Sequence, residues 1–235
     1  MRVDWRSFSK HWTKPPKKMF PVGMVVYKGL QGKGKSLSMT VDAFNIKSEF
    51  QMCNVYSNMR LKGIKYGFIS NNDDLINALN TNNGSNGTLF VLDEAQNLFN
   101  KKSGVPFEVM AQFCQNRKNR RCILMTTQIW EDLDVMLRKQ VKTVVNCNCL
   151  FGKIQINTYH NGEELTFDKM TGEYVAPKKF TKIFKHNDTY YNRYDTLEVI
   201  TTNKNYDRTL TMAQGSPPAP VSVNLSSIYK KKGLL

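Results

Sequence analysis

Gly29, Leu30, Gln31, Gly32, Lys33, Gly34, Lys35 and Ser36 follow directly on the apolar run Met24, Val25, Val26, Tyr27. This is the spacing G-x-x-x-x-G-K-[ST], and it carries a mechanism for holding phosphate. Glycines let the backbone curl until several N–H groups converge on phosphate oxygens. Lys35 then reaches the β- and γ-phosphates, and the Ser36 hydroxyl ligates Mg²⁺. The expected nucleotide-binding set is Gly29, Gln31, Gly32, Lys33, Gly34, Lys35, Ser36 and Leu37, with ATP and Mg²⁺ as cofactors.

Binding becomes hydrolysis only if a second set of residues supplies a metal-side acid and a base. The short apolar run Leu89, Phe90, Val91, Leu92 ends in Asp93 and Glu94, as a buried parallel strand does when it delivers ligands at its carboxyl end. Asp93 is expected to hold the Mg²⁺ through water, and Glu94 to polarise the attacking water as general base. A third group is Gln128, which ends the strand-like run Ile123, Leu124, Met125, Thr126, Thr127. Its amide is placed to sense the γ-phosphate and position the water.

These residues need elements to position them. The pattern predicts a strand over 20–28, a helix from Lys35 to about Phe50, a strand over 54–58 and a short helix over 73–80. A loop over 82–87 has turn chemistry. The Asp93 strand follows, then a helix over about 106–116, the strand 122–127, a helix from Glu131 to near Gln140, and β-like residues 141–146. Strands and helices alternating at these lengths argue for an α/β fold with a mostly parallel, doubly covered sheet. From Phe151 the texture changes to short β-like pieces running to about Ile200. The expected organisation is therefore a basic, aromatic arm over 1–19, a core over 20–150, a β-rich extension of the same domain over 151–213, and a linker with a basic tail over 214–235.

Composition bounds the partners. With 34 Lys+Arg against 19 Asp+Glu the chain carries +15, far more than a free nucleotide requires, which points to a polyanion such as DNA. No apolar run approaches the ~20 residues of a membrane span, so no stable membrane insertion is expected. The expected location is the host cytoplasm or the virion. Cys53, Cys114, Cys122, Cys147 and Cys149 are odd in number and lack C-x-x-C pairing, which fits reduced thiols. Tyr190, Tyr191 and Tyr194 read as packing, and His11, His160 and His186 as non-catalytic.

Taken together, the Asp93–Gln96 stretch (Asp-Glu-Ala-Gln), Arg117 eleven residues before Gln128, and the Thr127–Gln128 strand end resemble the FtsK/HerA superfamily of DNA-pumping ATPases. The Asp-Glu-Ala-Gln wording and the Asp132–Arg138 stretch are most similar to Zot-type phage morphogenesis proteins and small viral genome-packaging ATPases. The resemblance covers roughly residues 20–150. It implies a RecA-like (ASCE P-loop) sheet, a homo-oligomeric and usually hexameric ring, ATP hydrolysed between subunits, and DNA threaded through the pore. It further implies that Arg117 acts from the adjacent subunit. Arg120 stands where the superfamily usually has Gly, which makes Arg120, Arg121 and Arg138 alternative fingers. The favoured expectation is a viral genome-packaging ATPase, with a capsid vertex protein as a further partner. A Zot-like filamentous-phage assembly ATPase is the alternative, set second because such proteins normally carry a membrane span. A DNA-binding scaffold with a nucleotide-dependent switch is the reading from another class.

Overall fold

Among the described residues, two strands have every residue buried: β4 (Thr88–Leu92) and β5 (Arg121–Thr127). Such strands are stable only at the centre of a sheet covered on both faces. They pair in parallel with each other, Phe90 opposite Ile123, and β5 pairs in parallel with β1 (Gly23–Lys28), Met24 opposite Ile123. Around this centre lie β2 (Asn54–Ser57), β3 (Gly67–Phe68), β6 (Val141–Leu150), β7 (Ile154–Asn161) and β10 (Lys178–Lys185). The sheet order is β10-β7-β6-β1-β5-β4-β2-β3. The strands from β6 to β3 run parallel, whereas β7 and β10 are antiparallel additions at one edge.

The structure is a computed structural model and describes residues 19–99, 101, 104–170 and 172–194. The arm expected over 1–19, save Met19, and the linker and tail expected over 214–235 lie outside these residues, as does the end of the β-rich extension.

Side chains alternate across each strand and build a separate core on each face. Phe90, Leu92, Ile123 and Met125 face one way, against α2 (Asn72–Asn80), α3 (Ala95–Leu98), α4 (Phe107–Cys114) and α5 (Val135–Arg138). Leu89, Val91 and Leu124 face the other way, against Leu37, Met39 and Ala43 of α1 (Lys35–Glu49). The resulting architecture is a mostly parallel sheet with helices on both faces, the RecA-like P-loop arrangement.

Several expectations change. The helix expected between Glu131 and Gln140 breaks into a 3-10 turn over Trp130–Asp132 and one α-helical turn that Asp134 starts: its side chain accepts from the N–H groups of Met136 and Leu137, while Leu133 is buried just ahead of the turn. The strand expected to stop at Asn146 runs on to Leu150, since β7 pairs with it over its whole later length. Tyr190 and Tyr191 fall in a helical turn, α6 (Asp188–Tyr191), rather than in a strand. Tyr190 packs edge-on against Phe184, and the Arg193 guanidinium lies over Tyr190 and Phe44. The hairpin of β8 (Thr166–Asp168) and β9 (Glu173–Val175) covers the α5 face through Tyr174 and Trp130.

Candidate nucleotide site

The phosphate loop joins the carboxyl end of β1 to the first turn of α1. Gly34 caps that helix in the left-handed region at φ 75°, with no side-chain cap. The first intrahelical bond runs from the Ser38 N–H to the Gly34 carbonyl at 2.9 Å. The earlier N–H groups therefore have no acceptor within the helix and favour an anion, as does the helix dipole. Gly34 also lies against the Gln155 side chain, where any Cβ would overlap the amide. At Gly29 a Cβ would sit 2.8 Å from the Cys147 carbonyl of β6. The loop is thus bounded by the neighbouring strands on one side and open on the other.

Lys35 is buried and its Nζ donates to the Leu30 carbonyl at 3.1 Å, folding the ammonium over the loop. Burial lowers its pKa, opposed by the nearby Asp93 and Glu94 carboxylates. Ser36 Oγ donates to the Asp93 carboxylate, at 2.9 and 3.1 Å from its two oxygens. A hydroxyl and a carboxylate this close form an all-oxygen donor pair suited to Mg²⁺.

The chain around Asp93 is pinned from both neighbouring strands. Asn58, just past β2, donates its amide to the Asp93 carbonyl at 2.8 Å and accepts the Asp93 N–H at 2.7 Å. Thr126 of β5 donates its hydroxyl to Asp93 Oδ1 at 2.5 Å and accepts the Glu94 N–H at 2.8 Å. Burial raises the Asp93 pKa, and the Thr126 and Ser36 hydroxyls partly offset this. Glu94 follows in the left-handed region at φ 49°, an uncommon conformation for a residue with a side chain. Its carboxylate oxygens take Asn97 Nδ2 at 2.9 Å and Gln128 Nε2 at 3.5 Å. Glu94 and Gln128 are both exposed, at the carboxyl ends of adjacent strands β4 and β5.

The arginines lie elsewhere. Arg117 and Arg120 precede the first residue of β5, at the opposite edge of the sheet from Gln128, roughly 20 Å away at the usual rise per strand residue. Both are exposed; Arg120 Nη1 reaches the Ser85 carbonyl at 3.3 Å. Arg121 as an alternative finger is corrected by the structure. It is 2% exposed, and its guanidinium donates to the Leu79 carbonyl and to the carbonyl and side chain of Gln112 inside its own chain. It ties α2 and α4 to β5. Arg138 is half-buried and donates to the Tyr174 hydroxyl at 3.2 Å, its guanidinium also lying over that ring.

Ser36, Asp93, Glu94 and Gln128, all expected from the sequence, meet at the carboxyl ends of the central strands. Asn58, Thr126 and Gln155 were not among the expected site residues. Thr126 lay inside a recognised strand, but nothing local distinguishes it; the other two act across distant strands.

The family described as "Zonular occludens toxin (Zot)" matches residues 22–191. No curated protein sequence matches the chain. Among solved structures, the N-terminal domain of zonular occludens toxin from Neisseria meningitidis is 18% identical, with 74% of this chain and 99% of that one covered at a TM-score of 0.52. The DNA-packaging ATPase of Sulfolobus turreted icosahedral virus is 14% identical, over 67% of this chain and 97% of that one, at a TM-score of 0.48. The genome packaging NTPase of Sulfolobus turreted icosahedral virus 2 bound to ATP-gammaS is 18% identical, over 55% and 75%, at 0.46. The Neisseria likeness establishes a shared fold.

Proposed function

We infer that this chain, which belongs to the zonular occludens toxin (Zot) family, is a phage ATPase that couples ATP hydrolysis to movement of genome DNA through a homo-oligomeric ring. The observation that carries this reading is the Ser36–Asp93 contact at 2.9 Å, with the linked pair Glu94 and Gln128 beside it. It joins the phosphate-binding loop after β1 to the carboxylates at the end of β4, across the intervening β5. Ser36 and Asp93 would hold Mg²⁺, which when bound neutralises charge on the β- and γ-phosphate oxygens.

The chain's own residues supply the rest. The loop N–H groups and Lys35 hold and orient the triphosphate. Asp93 keeps its position through Asn58 and Thr126. Glu94 accepts a proton from the attacking water, and Gln128, bonded to the same carboxylate, orients that water. Arg117 sits too far from its own loop to help, so a neighbouring subunit in a ring would present it. The excess of basic residues supplies sequence-independent attraction to a phosphate backbone.

Two forms of genome movement fit: packaging into a capsid and export during filamentous-phage assembly. Family membership over 22–191 favours the second, reversing the order that the sequence alone suggested. Among the described residues no helix is long and apolar enough to cross a membrane. The two forms separate genetically. A phage carrying Glu94→Gln should accumulate intracellular genomes without particles if the protein exports DNA, and empty capsids if it packages. Normal particle yield from that allele would overturn both.

A further inference from the structure

Strand β7 carries polar side chains at positions as deep as any in the core: Gln155 is 0% and Asn157 1% exposed. Buried amides are retained where they satisfy specific partners. Here Gln155 meets the phosphate loop, and the Asn157 oxygen meets the first turn of α1. Gln155 Nε2 donates to the Lys33 carbonyl at 3.0 Å and to Asn157 Oδ1 at 2.9 Å. Asn157 Oδ1 also lies 3.1 Å from the Ser38 hydroxyl, which is 2.7 Å from the Gly34 carbonyl.

A carbonyl can only accept, so the Lys33 oxygen fixes which end of the Gln155 amide faces the loop. Gln155 Oε1 then lies against the Cα of Gly34 and accepts from His186 Nε2 at 3.1 Å. With its proton on Nε2, His186 uses Nδ1 to accept the Tyr191 hydroxyl at 2.6 Å. Burial lowers the His186 pKa, which keeps the ring in this neutral form. Every donor in the sequence Tyr191, His186, Gln155 points the same way and ends on the loop. Aligned chains of this kind strengthen one another.

The consequence follows from peptide geometry. In a trans peptide the C=O and the following N–H point in opposite directions. Holding the Lys33 carbonyl toward β7 therefore turns the Gly34 N–H away from β7, into the concavity of the loop. We propose that Gln155 is a positioning residue for nucleotide binding. It aims the Lys33–Gly34 peptide at the phosphates, and His186 and Tyr191 lock its amide from outside. The proposal rests on reading the loop as an ATP site.

The test measures the affinity of a fluorescent ATP analogue with Mg²⁺ well below the melting temperature, and steady-state hydrolysis, for wild type, Gln155→Glu and His186→Ala. Gln155→Glu keeps the size but replaces the donor to Lys33 by an acidic acceptor beside the loop, and His186→Ala tests the same lock without adding charge. Gln155→Glu should weaken nucleotide affinity at least about tenfold, the order of one lost buried hydrogen bond, and raise KM while kcat at saturation stays within about twofold. His186→Ala, at a half-buried position, should weaken affinity about threefold. A merely structural role would lower the melting temperature and leave the affinity of the folded protein unchanged. Wild-type affinity in folded Gln155→Glu overturns the proposal. If Gln155→Glu does not fold, wild-type affinity in His186→Ala overturns it instead. Failure of wild type to bind the analogue would overturn the ATP-site reading itself.

Discussion

Glu94 occupies the left-handed region at φ 49° and ψ 52°, where a residue with a Cβ bears a cost of about 1–2 kcal/mol. The surrounding structure holds it there: β4 is wholly buried up to Leu92, and Thr126 accepts the Glu94 N–H. The bend lets Asp93 turn toward Ser36 while Glu94 turns toward Gln128. Two adjacent carboxylates so acquire different surroundings. Asp93 is the one whose pKa burial raises. A carboxyl whose folded pKa is raised contributes stability below its unfolded pKa and loses it as pH rises through the folded value. At neutral pH the ionised Asp93 therefore weakens the metal-free fold. Asp93→Asn should raise the metal-free melting temperature by a few degrees at pH 7, with the gain over wild type shrinking as pH is lowered toward 4. It should also abolish Mg²⁺-dependent turnover. An unchanged or lower melting temperature at pH 7 would mean that the Ser36 and Thr126 hydroxyls compensate the buried charge fully. At this scale the sequence was legible where chemistry clusters locally, in Gly29–Ser36 and Asp93–Glu94. Asn58 was not legible, because an asparagine after a strand is common and its partner lies 35 residues away.

At the scale of elements, continuous apolar runs located the parallel centre of the sheet. Phe90 shows why that signal is reliable: it is fully buried and stacks on Tyr56 with ring centroids 5.5 Å apart. Phe90→Ala should cost about 3–5 kcal/mol in denaturant unfolding, the range for a large aromatic lost from a core. A cost below ~1 kcal/mol would contradict the packing described here. The place of β7 and β10 in the same sheet was harder to read. Alternation of apolar and polar residues suggests one solvated face, yet Gln155 turns its amide inward to the phosphate loop and Asn157 to the first turn of α1. Strand β3 has two residues, too few for any period to register. The turn at Asp134 illustrates a third limit, since one well-placed cap cut an expected helix to a single α-helical turn.

At the scale of the whole molecule, the fold sets nucleotide chemistry at one edge of the sheet and Arg117 at the other. Under the proposed function, a second copy would bring its Arg117 to this site, and hydrolysis would then depend on assembly. On the same proposal, the charge of +15 would let DNA act as a template for assembly. Family membership and the RecA-like topology were both legible from the loop, the Asp93 strand and Gln128. The proposed ring was not legible in the residues themselves, because a single chain does not encode its neighbours' placement locally. The measurement that bears most directly on the account is phosphate release with Mg²⁺ and DNA, beside nucleotide binding, for wild type, Lys35→Ala and Glu94→Gln. The account predicts that wild type turns over ATP, that Lys35→Ala loses binding, and that Glu94→Gln binds ATP like wild type but loses at least ~100-fold in turnover, as removal of a general base requires. Wild-type turnover by Glu94→Gln would contradict it.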